Sequence, residues 1–292
     1  MSARENLLAD GTEDEVDRAL VERAVDGSRD ALRVFVERHR DFIFNLALKM
    51  FGSHADAEDL TQEVLVKVIT SLRSFRHASS VKTWLYRITV NHFLKTRRRA
   101  METTISDFED YFSEIAAVPD EEPDASLGVT DATVEELRLR CTSGMLMCLD
   151  RDQRLAFILG AVFGVPTSVA AEILDITPGN YRVRLHRARR DLGSWMNARC
   201  GLVDAANPCS CRGKTAAYVK QGVVDPARLV FNAEYVIRIE QLTRRTAQDA
   251  MQRVDELHDR FFSSHPFALS KSTVVDDVLG DPTLRGFFSL ES

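Results

Sequence analysis

The side chains in this chain best placed to do chemistry are arginines, and the chemistry is recognition rather than bond-making. Arg182, Arg184, Arg187, Arg189 and Arg190 crowd the stretch RVRLHRARR with no acid among them. Guanidinium forks suit phosphates and the acceptor edges of bases. Tyr181, Leu185, Ala188 and Leu192 recur at i, i+4, i+7 and i+11, which predicts a helix with one apolar face. Asn180, Arg182, Arg184, Arg187 and Arg189 are left largely outside that face. Thr177 reads as the N-cap and Pro178 as the first helical residue. Upstream, Val165, Ala170 and Ile173 give a short helix ending at Leu174 an inner face, and small Ala171 lets two helices cross closely. Asp175 occupies the turn between them, where glycine is easiest but aspartate tolerates a left-handed backbone. The pattern is a helix-turn-helix. The start of its second helix is placed for base edges and its later arginines for phosphates. The plain alternative is a basic surface helix in an unrelated bundle.

A second basic segment lies far upstream. Val81 to Arg99 carries Lys82, Arg87, Lys95, Arg97, Arg98 and Arg99 and no acid. It follows a polar loop, Phe75 to Ser80, that includes Arg76 and His77. Positive charge tracks phosphates, and a loop beside a helix can hold an unstacked base. Trp84, Leu85 and Ile88 have core spacing. Just before this segment, DAEDLTQEVLVKV predicts a two-faced helix. Leu60, Val64 and Val68 point inward, while Asp56, Asp59 and Glu63, with Gln62 beside them, share another face. That face is either solvated or a docking surface for a basic partner.

Five cysteines occur, and the odd count argues against a disulfide framework. Cys200, Cys209 and Cys211 form C-x8-C-x-C. Three soft ligands so close together can bind zinc or another thiophilic metal, act as a redox-responsive pair, or simply be structural. No fourth ligand is evident in the sequence; His186, His258 and His265 qualify only by residue type. Cys141 and Cys148, seven apart on a predicted helix, read as core packing. No nucleophile–base pair or phosphate loop points to an enzyme, and no cofactor is required.

The elements that must hold these residues are helical throughout, so the fold class is all-α. The net charge of −6 over 292 residues looks wrong for a nucleic-acid binder, but charge is segregated: Met101 to Glu136 is acidic and lacks Lys and Arg. No long uncharged apolar run predicts a membrane span, and the acidic N-terminus lacks the apolar centre of a signal peptide, so a cytoplasmic protein is expected. Residues 1–14 read as a flexible N-terminus and 15–100 as a first helical unit. Within that unit Ser28 caps a helix that runs through Phe51 and stops at Gly52. Residues 101–135, of one charge sign and with scattered prolines, read as a flexible acidic linker. Residues 136–198 hold the helix-turn-helix. Residues 199–292 form a Cys-containing, mostly helical extension with a long helix pattern from about Ala233 to Phe262.

Here a resemblance becomes specific. LDRDQRLAFIL, AAEILDIT and RVRLHRARRDL resemble region 4 of the extracytoplasmic-function (ECF) sigma factors, the bacterial subunits that give RNA polymerase its promoter choice. DAEDLTQEVLVKV and WLYRITVN resemble region 2 of the same family. The resemblance implies that Asp56, Asp59, Gln62 and Glu63 contact core RNA polymerase. It implies that Phe75, Arg76, His77, Lys82, Arg87, Asn91, Lys95, Arg97, Arg98 and Arg99 serve the minus-10 element, with Asn91 at a base-contacting position. It implies that Thr177, Asn180, Arg182, Arg184, Arg187 and Arg189 serve the minus-35 element of promoter DNA. Asp175 stands where the family usually has glycine, and Lys95 where many relatives have an acid. An anti-sigma factor, or intramolecular regulation by the extension, is the further partner implied, with no membrane. The alternative is a helix-turn-helix regulator acting without polymerase, with a metal- or redox-sensing C-terminal domain.

Overall fold

The computed structural model describes residues 11–229 apart from 106 and 124. The described residues are helical, with a single isolated bridge between Cys200 and Cys209 in place of any sheet. Packing divides them into two compact units. Among the described residues, one comprises 11–97 together with Phe163–Tyr181; the other comprises Arg98–Val162 and 182–229. The expected long helix after Ala233 lies outside the described residues.

The first unit is built around one helix. Helix α1 (Gly11–Val25) ends at a left-handed Gly27, and α2 (Arg29–Phe51) then starts on Ser28, whose hydroxyl accepts from the Ala31 amide at 3.3 Å. Gly52, at φ 70°, closes α2 as the sequence predicts. From Ile43 to Phe51 every residue of α2 is buried. A helix segment buried on all sides belongs at the centre of a bundle, and α1, α3 (His54–Ser71) and α4 (Val81–Lys95) pack around it. Leu60, Val64 and Val68 of α3 and Leu85, Tyr86, Val90 and Phe93 of α4 fill the space between, each contributing about 1.5–3 kcal/mol by leaving water. One buried residue opposes this. Lys49 is only 2% exposed, and burial pulls its ammonium down to a pKa of about 8.

Helix α4 stops at Lys95, before the basic segment ends at Arg99. Thr96 turns extended at the cap, and its amide and hydroxyl both donate to the His92 carbonyl, at 3.1 and 2.9 Å, closing the last turn.

The second unit overturns the expectation of a flexible acidic linker. The tract forms α5 (Ala100–Thr104) and α6 (Phe108–Ala117), and both are packed. Glu102 is buried and held by Arg151 at 2.6 Å and Arg154 at 2.9 Å. Burial alone would raise its pKa, but the two guanidiniums outweigh that and hold the carboxyl below its ordinary value. Phe108 and Phe112 stack on Trp195, with ring planes within 10° of parallel. Tyr111 reaches α7 (Asp131–Met147) and donates to the Cys141 carbonyl at 2.9 Å. That approach needs Gly144, because a Cβ there would collide with the Tyr111 hydroxyl. Apolar burial and ion pairing therefore outweigh the like-charge repulsion that composition suggested. The unit also holds α8 (Arg151–Phe157), most of the basic helix and the start of the extension, whose α11 (Cys211–Lys220) packs on α7. The described start of the extension is thus part of a core.

Candidate nucleic-acid interface

The helix-turn-helix closes as its sequence dictates. Helix α9 (Thr167–Ile173) buries Ala170, Ala171 and Ile173, with Val165 buried just before it. Asp175 adopts φ 53°, the Ile176 amide donates back to the Ala171 carbonyl at 3.0 Å, and the Asp175 amide donates to the Glu172 carbonyl at 3.3 Å. This bond pair is the standard left-handed close of a helix, here with aspartate in the glycine position. Thr177 then caps α10 (Pro178–Arg199), its hydroxyl accepting from the Asn180 amide at 3.2 Å. Along α10, Tyr181, Ala188, Leu192 and Met196 are buried, which turns the opposite side outward. Thr177, Asn180, Arg182 and Arg187 are exposed, while Arg189 and Arg184 are half-buried. Arg184 pairs with Asp152 at 3.1 Å.

The upstream loop is built differently. His77 takes the left-handed region at φ 56°, and the turn is held by a distant helix. Arg18 of α1 donates to the His77 carbonyl at 3.3 Å and the Ser79 carbonyl at 2.8 Å, and its guanidinium lies 5.7 Å from the centre of the Phe75 ring. Asp14, which pairs with Arg18 at 2.6 Å, accepts from the Val81 amide at 2.8 Å and so caps the first turn of α4. Neither residue stands out in the sequence, although Asp14 and Arg18 are an i,i+4 pair of opposite charge.

The structure places the predicted contacts of this segment unevenly. Phe75 is buried against Trp84, with ring centres 5.3 Å apart, so its side chain belongs to the core and not to a contact surface. Lys82 is half-buried, with Nζ 5.5 Å from the centre of the Phe42 ring, and burial lowers its pKa. Arg87 pairs with Glu172 of α9 at 3.1 Å. Arg76, His77, Asn91, Lys95, Arg97 and Arg98 are exposed, and Arg99 is half-buried.

On α3, Asp59, Gln62 and Glu63 are exposed and Asp56 is half-buried near the N-terminus. The inward set of Leu60, Val64 and Val68 forces this orientation. Glu63 is already engaged by the His92 ring at 2.6 Å. Cys200, Cys209 and Cys211 line one small cavity in the second unit, and Cys141 joins them there. Among the described residues, no three His, Cys, Asp or Glu side chains already converge in metal-holding geometry. No helix among them is long and apolar enough to cross a membrane.

Comparison with known proteins matches these surfaces to families. Residues 35–103 match the family model of Sigma-70 region 2, and residues 139–192 match that of Sigma-70 region 4. The chain is similar to the ECF RNA polymerase sigma-E factor of Haemophilus influenzae, at 31% identity over 182 residues, which span 59% of this chain and 91% of that one. It is also similar to the ECF RNA polymerase sigma-E factor of Escherichia coli K12, at 30% identity over 178 residues, covering 59% of this chain and 90% of that one. The solved structure of CnrH in complex with the cytosolic domain of CnrY aligns with a TM-score of 0.44 at 23% identity, over 63% of this chain and 98% of that one.

Proposed function

The chain belongs to the ECF family of RNA polymerase sigma factors, and from that premise we propose how its residues divide the work. A sigma factor brings core RNA polymerase to a promoter and starts transcription there; it is an initiation factor rather than an enzyme in the usual sense. In our reading Asp56, Asp59, Gln62 and Glu63 dock on a basic surface of core polymerase. Glu63 exchanges its bond to His92 for that contact. The first turn of α10, from Thr177 through Asn180 and Arg182, meets the base edges of the minus-35 element, and Arg184, Arg187 and Arg189 track its phosphates.

The loop around His77 and the exposed side of α4 with Asn91 form the site for an unstacked base of the minus-10 element. Arg76, Arg87, Lys95, Arg97, Arg98 and Arg99 draw in the flanking strand. Separating the strands costs a few kcal/mol per base step, and capture of the freed base offsets that cost. Phe75 acts from below, as the floor on which the loop rests. The observation that supports the minus-35 assignment is the closed turn at Asp175, beyond which Thr177, Asn180, Arg182 and Arg187 are exposed. We place the protein in the cytoplasm, where its polymerase works. We also assign residues beyond 199 to regulation, by the chain itself or through an anti-sigma partner.

The test is reconstitution. Purified chain, core polymerase and a library of genomic fragments should yield defined start sites, with Asp59→Lys/Glu63→Lys failing to co-purify with core yet still binding a minus-35 duplex. A chain that bound duplex sites alone and never programmed core polymerase would instead be a regulator acting without polymerase. A chain ended after Leu229, which keeps α11, should initiate at the same start sites with altered regulation; lost initiation would count against a regulatory role for the tail.

A further inference from the structure

The cavity in the second unit brings together four cysteines that the sequence separates. Cys141 comes from the middle of α7, Cys200 follows the end of α10, Cys209 lies in the loop, and Cys211 is the first residue of α11. The cavity has a volume of about 20 Å³, room for one water or one ion, and the thioether-bearing Met145 and Met196 also line it. The loop is drawn in by backbone bonds. The Gly201 amide donates to the Cys209 carbonyl at 3.1 Å, the Cys209 amide donates to the Arg199 carbonyl at 3.3 Å, and a Cβ at Gly201 would collide with the Cys209 carbonyl.

The surroundings match an anionic centre. Arg138 lines the same cavity, hydrogen-bonds the Cys211 sulfur and is itself held by Glu135 at 2.9 Å, while its Nε is buried without a partner. Cys211 sits in the first turn of α11, beside this guanidinium.

We propose that Cys141, Cys200, Cys209 and Cys211 form a tetrathiolate site for one divalent cation of the zinc class, with Arg138 as the positioning residue that offsets its charge. The four thiols surround the cavity without yet converging, so the ion itself draws them together. Binding replaces four S–H bonds with four metal–sulfur bonds, releases four protons to solvent and moves no electrons. Four cysteines suit tetrahedral zinc. The ion would pin the extension to the helix that opens the minus-35-reading region, so its loss would be felt there.

The experiment uses the full reduced chain with Zn2+ and, as a spectroscopic probe, Co2+. Native mass spectrometry should give one zinc per chain, and Co2+ should give the intense visible bands of a tetrahedral thiolate site. Cys141→Ser should weaken binding on the order of 100-fold, Arg138→Met about tenfold, and Cys148→Ser not at all. If Cys141→Ser fails to fold, zinc protection of Cys141 from alkylation in the unmodified chain decides instead. Absence of bound metal, equal losses from Cys148→Ser and Cys141→Ser, or an intramolecular disulfide that zinc does not prevent would overturn the site.

Discussion

Two turns in this molecule do similar work and are held in opposite ways. Both place a residue other than glycine in the left-handed region, His77 at φ 56° and Asp175 at φ 53°. The turn at Asp175 is closed by its own backbone within a few residues. The turn at His77 depends on Arg18 and Asp14, which reach it from a helix far upstream. A turn closed locally is written in adjacent residues and tolerates change elsewhere. A turn clasped from afar is a tertiary feature, open to loss by substitutions that touch no nucleic acid.

The largest expected effect concerns the unit that carries the clasp. Lys49→Met should stabilise it by roughly 3 kcal/mol near neutral pH, from a shift between about 10.5 and about 8. The sign follows from a lowered folded pKa. Below pH 8 the buried ammonium is charged and its cost is fully present. Stability of the unmodified chain should rise between about pH 8 and 10.5, where only the unfolded chain keeps the proton. Denaturant unfolding of both chains at pH 7 and pH 10 checks this, and a gap that does not narrow at the higher pH would contradict it.

Asp175→Val should cost about 2 kcal/mol, because a β-branched residue resists the left-handed region, and Asp175→Gly should be neutral or slightly stabilising. Binding to a minus-35 duplex should fall with the valine while the His77 loop is untouched. Arg18→Ala should cost about 1–2 kcal/mol through lost hydrogen bonds and ring contact, and should loosen that loop, read by faster amide exchange at residues 76–80. Protection unchanged in Arg18→Ala would erase the contrast between the two turns. The smallest effect belongs to the exposed pair of Arg87 and Glu172. Glu172→Gln should change stability by less than about 1 kcal/mol.

Much of the local architecture was legible. Ser28, Gly52, Thr177 and Pro178 mark helix ends by the chemistry of unsatisfied amides and carbonyls, and the structure uses each as the sequence predicts. The recognition helix and the acidic side of α3 follow from apolar periodicity. What was hidden depends on partners distant in sequence. The acid run from 101 masked the stacking of Phe108 and Phe112 on Trp195. Phe75 looked like a loop aromatic until Trp84 and Arg18 packed on it. Cys141 looked like ordinary core until chain topology carried three more thiols to its cavity.

The most direct test of the account is strand opening on a promoter by core polymerase carrying this chain, read by permanganate reactivity of minus-10 thymines. The unmodified chain should open the promoter. Arg18→Ala should bind it but open it poorly, and Arg187→Ala should bind more weakly, with a salt slope reduced by about one. Equal opening by all three chains, or no opening with any of them, would contradict a division of labour between the two turns.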